Sequence, residues 1–506
     1  MIKSRSLDNR FFGDLSILIL LALVVVVLHS LTNGQYGFHR DELDTLDNAR
    51  FLAWGYVAYP PMTPFLGRIG LELFGTSLVG IRFFAALAQG IVVVLVGLMA
   101  RGLGGNRAAQ IVAAVAVAIS PVALTGGLML HYLAFDYLWW VLTATCLVYL
   151  LKTENPRWWL GIGIGIGLGM MTKYTMAFFV AGIVGGIVLT RARRYLLSPW
   201  LWTGVALSLL IFLPNLVWQV QHNFISLDFL NSIHQRDILW GRTSNYLVEQ
   251  LYSSANPFTI PLWVVGLYFY FIAPAGQRFR PLGWAFAIGF LLLAVTRGRF
   301  YYIAPAYPML IAAGMVWGEC WLAAQRSGLR RAVQAAVGVG LLAGGVLAVP
   351  LSLPVVPLNS PTWKIANSVN DNFREMIGWP EMVQTVAGVY QKLSPEEQQH
   401  TGILTTNYGE AGAINLYGPA YGLPQAISGA DSGWYRGYGD PAPQNVIVVG
   451  GVQAYISGLF QSCDAAGQVT NVYGIQNEET FRPTILVCRG IRRPWSAVWA
   501  DFKSFQ

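Results

Sequence analysis

Charged side chains are scarce in this sequence of 506 residues. Asp, Glu, Lys and Arg together make up 11% of the chain, whereas they make up roughly 25% of a typical soluble protein. Hydrophobic residues account for 55% and aromatic residues for 13%. Disordered, collagen-like and coiled-coil chains are neither so apolar nor so aromatic. The composition therefore excludes these classes and predicts a polytopic membrane protein.

Cysteine is also scarce, and its four residues are too few for a disulfide scaffold. Cys146 and Cys320 lie in apolar runs, where packing is their simplest role. Cys463 and Cys488 both lie in the polar C-terminal part. If that part is extracytoplasmic, they could form one disulfide; otherwise they remain two thiols. The sequence leaves these two alternatives open.

Acidic residues are outnumbered, with 25 Asp and Glu against 33 Lys and Arg, for a formal net charge of +8. In a soluble protein, this excess would suggest nucleic-acid binding. In a membrane protein, the location of the basic residues matters more than their sum. We therefore expect no nucleic-acid partner.

About eleven apolar stretches approach the roughly 17–25 residues that are needed to cross about 30 Å of hydrocarbon. The fifth and sixth belong to one apolar block that is broken only at residues 172–174. The first is expected to be an uncleaved signal anchor, because it lacks a small-residue cleavage site. The stretches are 14–32, 78–100, 108–128, 132–151, 158–172, 174–190, 200–218, 258–274, 281–297, 300–323 and 332–352.

The basic residues predict the orientation. If the N-terminus is cytoplasmic, every inner segment carries at least two Lys or Arg residues, provided that the fifth and sixth spans are counted separately. An odd number of spans then places the tail outside. We predict a transmembrane domain over 1–352 in the cell inner membrane. Strand-like and helical pieces alternate in the tail, which predicts an extracytoplasmic α/β domain over 353–506.

The first outer loop, 33–77, contains a dense acidic cluster. Its apolar spacing predicts two amphipathic helices, over 41–54 and 61–74, that lie along the outer membrane surface. Asp41 and Glu42 could serve simply as acids at a helix N-terminus, where the helix dipole favours them. They could also belong to a site on this face.

Other charges are predicted at the same membrane face. Asp136 lies near the outer end of the fourth span, and Lys173, Arg297 and Arg299 lie at outer junctions. Charges at membrane depth are costly and are usually paired or functional, so an ion pair between Asp136 and an arginine is the structural alternative. Cations here suit a lipid phosphate, and carboxylates suit a general base that acts on a hydroxyl or an amine.

Four segments of the chain resemble bacterial members of glycosyltransferase family 39. These enzymes have the GT-C fold, use polyprenyl-phosphate sugars, and are related to protein O-mannosyltransferases and lipid A aminoarabinose transferases. The Asp-Glu pair alone is a weak signal, but the ordered set over about 270 residues is specific. The segments are Arg40-Asp41-Glu42 with Ala53-Trp54-Gly55-Tyr56 and Pro60-Pro61-Met62-Thr63-Pro64, then Ala134-Phe135-Asp136, then Gly167-Leu168-Gly169-Met170-Met171-Thr172-Lys173-Tyr174, and Arg299-Phe300-Tyr301-Tyr302-Ile303-Ala304-Pro305-Ala306-Tyr307-Pro308.

The resemblance implies catalytic roles for three acids. Asp41 matches the carboxylate that activates the acceptor, with Glu42 beside it and Asp136 as a further acid near the same cavity. Lys173 and Arg299 match positions that face the donor phosphate.

Arg297 is so near to Arg299 that it shares the donor-phosphate assignment. The aminoarabinose transferases commonly have Lys before the Pro-Pro pair, where this chain has Tyr59. The donor or the acceptor is therefore expected to differ from that subgroup.

Further residues are candidates for contact with the substrate. They are aromatic or imidazole side chains near the outer span ends, although an interfacial Trp is often only a belt residue. The set is Tyr59, Tyr174, Trp218, His222 and Tyr302.

No metal or other cofactor is expected to be required. A divalent cation held by His39, with Asp41 and Glu42 and with His131, is the alternative. The glycines from 161 to 167 could resemble a phosphate loop, but their position inside a span favours close helix packing.

Together, these residues predict a membrane glycosyltransferase. It would transfer a sugar from a polyprenyl-phosphate donor to a lipid, glycan or protein acceptor on the extracytoplasmic face of the bilayer. The main alternative is a transporter or lipid flippase, whose charges should lie near the bilayer midplane. A membrane scaffold without activity is a third interpretation.

Overall fold

The computed structural model describes residues 2–451 and 453–506. Its first two thirds are helical. The helices are α1 (Ile2–Thr32), α2 (Arg40–Arg50), α3 (Met62–Phe74), α4 (Leu78–Gly102), α5 (Arg107–Ala118), α6 (Pro121–Leu128), α7 (Tyr132–Thr153), α8 (Trp158–Met170), α9 (Met176–Val188), α10 (Pro199–Gln221), α11 (Ile225–Leu239), α12 (Tyr246–Glu249), α13 (Ile260–Phe271), α14 (Arg280–Val295), α15 (Tyr307–Ala323) and α16 (Ser327–Ser352).

The remainder of the chain alternates helices and strands, as the sequence predicts. The helices are α17 (Pro361–Val369), α18 (Trp379–Gln391), α19 (Pro395–Gln399), α20 (Tyr408–Tyr417), α21 (Gln453–Leu459), α22 (Glu478–Phe481) and α23 (Trp495–Val498), and the strands are β1 (Thr401–Thr405), β2 (Ala426–Ser428), β3 (Asn445–Val449), β4 (Phe460–Gln468) and β5 (Thr484–Ile491).

Seven helical segments of the described chain are long and apolar enough to cross a membrane, or nine if two bent pairs each count as one span. The bent pairs are α5 with α6, at 64°, and α9 with the 3-10 helix Arg191–Leu197, at 104°. Pro121 at the start of α6 cannot continue the hydrogen bonding of α5. The other two predicted spans correspond to the shorter apolar helices Trp158–Met170 and Pro257–Phe271. The count of eleven therefore stays a prediction.

The chain forms two compact units that do not follow chain order. Unit 1 contains the residues up to Asn33 together with 82–220 and 234–355. Unit 2 contains 34–81, 221–233 and 356–506. The loop that carries the acidic cluster thus belongs to the same unit as the α/β tail.

In unit 1, the glycines of α8 permit close helix packing. A Cβ added at Gly161 or Gly165 would overlap Cys146 or Thr143 of α7. A Cβ at Gly163 or Gly167 would overlap residues of α10 instead. Two alternating sets of glycine therefore place α8 against both neighbours, and their role is in packing rather than in a phosphate loop.

The sheet of unit 2 has five strands in the order β2-β1-β3-β5-β4. Strands β1, β2 and β3 are mutually parallel, whereas β3 with β5 and β4 with β5 are antiparallel. Cys463 and Cys488 face each other across β4 and β5 and form a disulfide. The structure therefore selects the disulfide from the two alternatives that the sequence leaves open.

The two predicted amphipathic helices are present as α2 and α3, with bounds that differ from the prediction by at most four residues. The apolar face of α2 was predicted to lie along the membrane surface, but in the structure it contacts protein. Leu43, Leu46 and Ala49 are buried, and a Cβ at Gly412 of α20 would overlap the backbone of Leu43. This face is therefore covered by α20 and is not available to lipid.

Candidate functional site

Asp136 lies near the start of α7 and is almost completely buried. Both of its carboxylate oxygens accept hydrogen bonds: Trp140 Nε1 donates to Oδ1 at 3.0 Å, and Thr175 Oγ1 donates to Oδ2 at 2.9 Å. Trp140 is one turn further along the same helix, whereas Thr175 lies just before α9. Asp136 therefore connects α7 to the break between α8 and α9, and its hydrogen-bond donors are an indole and a hydroxyl rather than the arginine of the structural alternative.

Lys173 lies in that break, between the end of α8 and the start of α9, and its side chain is buried. Its Nζ is 3.5 Å from the centroid of the Tyr132 ring and 5.8 Å from that of Tyr302. Aromatic faces attract a cation through their quadrupole, more strongly where water is excluded. The break thus positions an ammonium group against two phenols.

Arg299 precedes the 3-10 helix Phe300–Ala306 and makes a bidentate ion pair with Asp237 of α11. Its Nε lies 2.6 Å from Asp237 Oδ2, and its Nη2 lies 2.8 Å from Oδ1. Its Nη1 also donates to the hydroxyl of Tyr301 at 3.1 Å. Asp237 was not predicted as a site residue, because it lies in the polar segment His234-Gln235-Arg236-Asp237 outside the predicted spans and carries no local signal.

We call Tyr132, Lys173, Arg299, Tyr301 and Tyr302 the cation–phenol cluster. Neighbouring rings connect its two cations, since the centroids of Tyr301 and Tyr302 are 4.8 Å apart. The cluster joins two of the sequence-predicted donor residues, Lys173 and Arg299, with the predicted substrate residue Tyr302. It offers cations and phenol hydroxyls, which are the groups that a phosphate binds.

Arg297, Tyr174 and Trp218 are the other predicted residues in the described part of unit 1. Arg297 is exposed in the turn after α14, with a left-handed φ of 49°. Tyr174 donates its hydroxyl to Asn215 Oδ1 at 3.1 Å and accepts from Gln219 Nε2 at 2.8 Å. Trp218 is partly buried in α10, next to Gln219. Tyr174 therefore holds the break against α10.

In unit 2, Glu42 completes the N-terminal cap of α2. Its Oε2 accepts from the backbone N–H of His39 at 2.9 Å, and His39 Nδ1 accepts from the N–H of Asp41 at 3.1 Å. Glu42 is completely buried. This reciprocal capping box, with His in the place of Ser or Thr, is the structural role that the sequence could have revealed from the His-x-x-Glu spacing.

Asp41 differs from its neighbour because 34% of its side chain is exposed. Tyr408 donates its hydroxyl to Asp41 Oδ1 at 2.9 Å, and Arg40 Nε lies 3.5 Å from the same oxygen. A hydroxyl and a guanidinium group both stabilise a carboxylate. Asp41 is thus an oriented and accessible acid.

The next acid of α2, Asp44, is paired with a phenol. Tyr59 donates its hydroxyl to Asp44, and Asn48 Nδ2 binds both groups, at 3.1 Å from Asp44 Oδ2 and 2.7 Å from the Tyr59 hydroxyl. Loss of hydration raises the pKa of Asp44 to about 7, although the Tyr59 hydrogen bond opposes this shift. The predicted substrate residue Tyr59 is buried and serves as the partner of Asp44.

The last acid of the helix, Asp47, is buried and is paired with Arg436 and with Asn415 Nδ2, the latter at 2.7 Å. His222 packs its ring edge against Tyr435, with centroids 5.3 Å apart.

His39 and His131, the histidines of the alternative metal site, both cap helices. His39 Nδ1 accepts from the N–H of Asp41 at 3.1 Å, and His131 Nδ1 accepts from the N–H of Leu133 at 3.4 Å. Over residues 2–451 and 453–506, no group of three or more His, Cys, Asp or Glu residues has the arrangement of a metal site. The prediction that no metal is required stays a prediction.

Residues 58–218 match the family model of the dolichyl-phosphate-mannose-protein mannosyltransferases. This range includes Tyr59, Asp136, Lys173, Tyr174 and Trp218, and it lies between Asp41 and Arg299. A curated relative, an uncharacterized protein of Aquifex aeolicus (strain VF5), is 23% identical over 267 residues, which are 50% of this chain and 51% of the relative. The chain thus spans about half the length of that relative.

The structure is similar to the crystal structure of ArnT from Cupriavidus metallidurans in the apo state, with a TM-score of 0.60, 15% identity, and coverage of 93% of this chain and 98% of ArnT. The same protein bound to undecaprenyl phosphate gives a TM-score of 0.56 at the same identity and coverage. The oligosaccharyltransferase of Archaeoglobus fulgidus, tethered with an acceptor peptide, gives 0.51 at 13% identity, over 86% of this chain and 69% of that one.

These similarities confirm the predicted GT-C glycosyltransferase fold with its C-terminal α/β domain, as well as the resemblance from which it was predicted. The chain is a multi-pass membrane protein, as its composition predicts. Nothing in these matches supports the alternative of a transporter or flippase.

Proposed function

We propose that this protein is a membrane glycosyltransferase, which transfers a sugar from a polyprenyl-phosphate donor to an acceptor at the extracytoplasmic face. The cation–phenol cluster is the observation that carries this proposal. The cluster brings a buried ammonium group and several phenol hydroxyls together, and these are donors that a phosphate accepts, with a charge-assisted hydrogen bond from Lys173. The fold supports the proposal, since the similar ArnT has been solved with undecaprenyl phosphate bound.

Lys173 is the main ligand of the donor phosphate in this proposal. Asp237 already compensates the charge of Arg299 through two short hydrogen bonds, so Arg299 contributes less net attraction. Tyr302 and Tyr301 add phenol donors. The exposed Arg297 lies two residues before Arg299 and is assigned the outer edge of the phosphate site.

Asp41 is proposed as the general base. One third of its side chain is exposed, and Tyr408 orients its carboxylate. Glu42 and Asp136 are assigned as positioning residues, because Glu42 acts through the cap of α2 and Asp136 acts through Thr175 beside Lys173.

The remaining predicted substrate residues are proposed to act in two ways. Tyr59 and Tyr174 position their surroundings through hydrogen bonds to Asp44 and Asn215. Trp218 and His222 retain partly exposed side chains, so they are assigned contacts with the sugar or the acceptor.

The proposed step is a displacement at the anomeric carbon. The acceptor oxygen or nitrogen forms a bond to this carbon, while the bond from the carbon to the phosphate oxygen breaks. The acceptor proton passes to Asp41, and the electron pair leaves with the polyprenyl phosphate, whose charge Lys173 stabilises. Phosphate is a good leaving group, so no general acid is assigned. We propose that the reaction requires no metal, and therefore that EDTA leaves the rate unchanged.

We also propose an inner-membrane location, with the N-terminus in the cytoplasm and the tail outside. The Cys463–Cys488 disulfide supports an oxidising location for the tail. Cys320, which is exposed near the end of α15, is then cytoplasmic. In intact cells, a membrane-impermeant maleimide should label Cys introduced at Gln391 but not Cys320. The reverse pattern would refute this orientation.

The decisive experiment uses mass spectrometry to compare the envelope lipids, glycans and proteins of a strain that has the gene with those of a strain from which it is deleted. We expect one sugar modification to disappear in the deletion strain, and we expect the unmodified chain to restore it. The Asp41→Asn variant, produced at the same level in the membrane, should fail to restore it. Full restoration by this variant would refute the base assignment, and an unchanged envelope in the deletion strain would refute the proposed function.

A further inference from the structure

Unit 2 contains a cavity of about 280 Å³. It lies at the carboxyl end of the parallel strands, because Thr405 ends β1, Thr406 follows it, and Gly429 directly follows β2. Its volume is near the lower limit of small-molecule sites, which begin at roughly 300 Å³. The lining residues are Thr405, Thr406, Gly429, Tyr455, Ile456, Arg482, Asp501 and Phe502.

The strand order makes this edge of the sheet a favourable place for a ligand. From β1, the chain passes through α20 to β2 on one side, and it later returns to β3 on the other side of β1. The strand order therefore reverses at β1. In open α/β sheets, ligands bind outside the carboxyl ends of the strands at such a reversal.

The charges at this edge disfavour an anionic ligand. The backbone N–H groups of Thr406 and Asn407 point towards the start of α20, but they donate to Glu410 Oε2 at 2.8 and 3.1 Å. A protein carboxylate thus occupies the donors that would otherwise bind a phosphate. Asp501 further opposes the positive charge of Arg482 in the cavity wall.

The other lining groups suit a neutral sugar. The rings of Tyr455 and Phe502 are 6.3 Å apart and inclined at 70°, so they present two apolar faces at a steep angle. Arg482 supplies donors and Asp501 supplies acceptors. The hydroxyls of Thr405 and Thr406 donate to Ile427 O and Glu410 Oε2, so they offer a ligand acceptor lone pairs. A pyranose ring combines an apolar face with a rim of hydroxyls, so it matches this combination in both chemistry and size.

We propose that the cavity binds one ring of a neutral saccharide, as a non-catalytic carbohydrate site of the α/β tail. Binding requires no transfer reaction, and the inference therefore stands apart from the proposed function. If the acceptor is a glycan, this site would retain it at the membrane surface.

The test uses the full chain in lipid nanodiscs, without any sugar-based detergent, which would compete for the site. Maltotriose, cellotriose, mannotriose and chitotriose are titrated by calorimetry, with inorganic phosphate in parallel. We expect at least one trisaccharide to bind at a millimolar or lower Kd, and phosphate not to bind in this cavity.

Two exposed tyrosines provide a matched pair of variants. Tyr455, which lines the cavity, is 49% exposed, and Tyr473, which does not, is 48% exposed. Tyr455→Ala should weaken saccharide binding about fivefold through loss of ring contact, whereas Tyr473→Ala should leave it unchanged. Both variants should melt like the unmodified chain.

Three results would overturn the inference. These are an absence of binding by all four trisaccharides, phosphate binding that Tyr455→Ala abolishes, and equal saccharide affinity in the two variants. Because none of these measurements involves transfer, failure here leaves the proposed glycosyltransferase activity untouched.

Discussion

The charged residues of the acidic helix α2 in unit 2 have different kinds of partner from those of the cation–phenol cluster in unit 1. Along α2, each acid has its own partner: the helix cap for Glu42, Tyr59 for Asp44, and Arg436 for Asp47. In the cluster, the carboxylate of Asp237 pairs with Arg299, and the rings of Tyr132 and Tyr302 lie against the ammonium group of Lys173. The chemistry of a charged motif is thus decided by the partner of each residue, and not by its charge alone.

The residues proposed to bind or react differ in their surroundings from the residues proposed to support them. On α2, Asp41 combines an orienting hydrogen bond with a partly exposed side chain, whereas Glu42 and Asp47 are buried. In unit 1, the buried Nζ of Lys173 lies 3.5 Å from the centroid of the Tyr132 ring and 5.8 Å from that of the Tyr302 ring. We therefore assign chemistry to Asp41 and Lys173, and we assign support to their neighbours.

The largest expected effect is that of Asp41→Asn, which should reduce transfer at least about 100-fold, because an amide cannot accept the acceptor proton. Glu42→Gln should reduce it far less, since glutamine also completes a capping box. The measurement is the turnover of purified protein once the modified envelope component is known. Glu72→Gln, an exposed acid on α3, is the matched control and should be fully active. Equal losses in Asp41→Asn and Glu42→Gln would contradict the distinction between the two acids.

An effect of intermediate size is expected at Lys173. Lys173→Met should weaken the binding of undecaprenyl phosphate about tenfold or more, because it removes a charge-assisted contact. Lys173→Arg should restore part of the affinity. Binding can be measured by native mass spectrometry.

Lys152→Met is the control for this experiment. Lys152 is an exposed lysine in the last turn of α7, where it donates to the carbonyl of Arg101. Its removal should leave the affinity unchanged. If Lys173→Met binds the lipid as tightly as the control does, the cluster is not the phosphate site.

The smallest effect concerns pH. The pKa of Asp44 is raised to about 7 in the folded protein, whereas an unfolded Asp has a pKa near 3.9. The folded state therefore binds the proton more tightly, and the stability that this supplies is lost as pH rises from about 4 through about 7. Asp44→Asn mimics the protonated form and should flatten the fall of the melting temperature in this window by a few degrees.

A residual slope is expected in this variant, because burial also raises the pKa of Glu410. An unchanged pH dependence in Asp44→Asn would show that Asp44 does not titrate in this range.

Local patterns predicted much of the fold. Apolar length located the helices that span the membrane, and helical spacing located α2 and α3 to within four residues. Alternating strand-like and helical pieces predicted the α/β tail. The capping role of Glu42 was also accessible, since His39 and Glu42 have the spacing of a capping box.

The partners of the charged residues could not be predicted in this way. Arg436 lies 389 residues from Asp47, Tyr408 lies 367 residues from Asp41, and Asp237 lies 62 residues from Arg299. No local periodicity relates residues that are so distant in sequence. For the same reason, the sequence did not show that residues 34–81 belong to one unit with the tail.

The glycines of α8 have a consequence for how the protein can vary. This helix ends at Met170, three residues before Lys173, and its neighbours approach it too closely for a β-carbon at alternating positions. The close packing of the α8 backbone therefore fixes the position of Lys173, which follows the end of this helix. In a saturation mutagenesis library, these glycines should tolerate almost no replacement, whereas the ring residues around Lys173 should accept other aromatics. The lipid preference of the protein is then expected to change through substitutions of the ring residues around Lys173, while α8, which supports the lysine, stays constant.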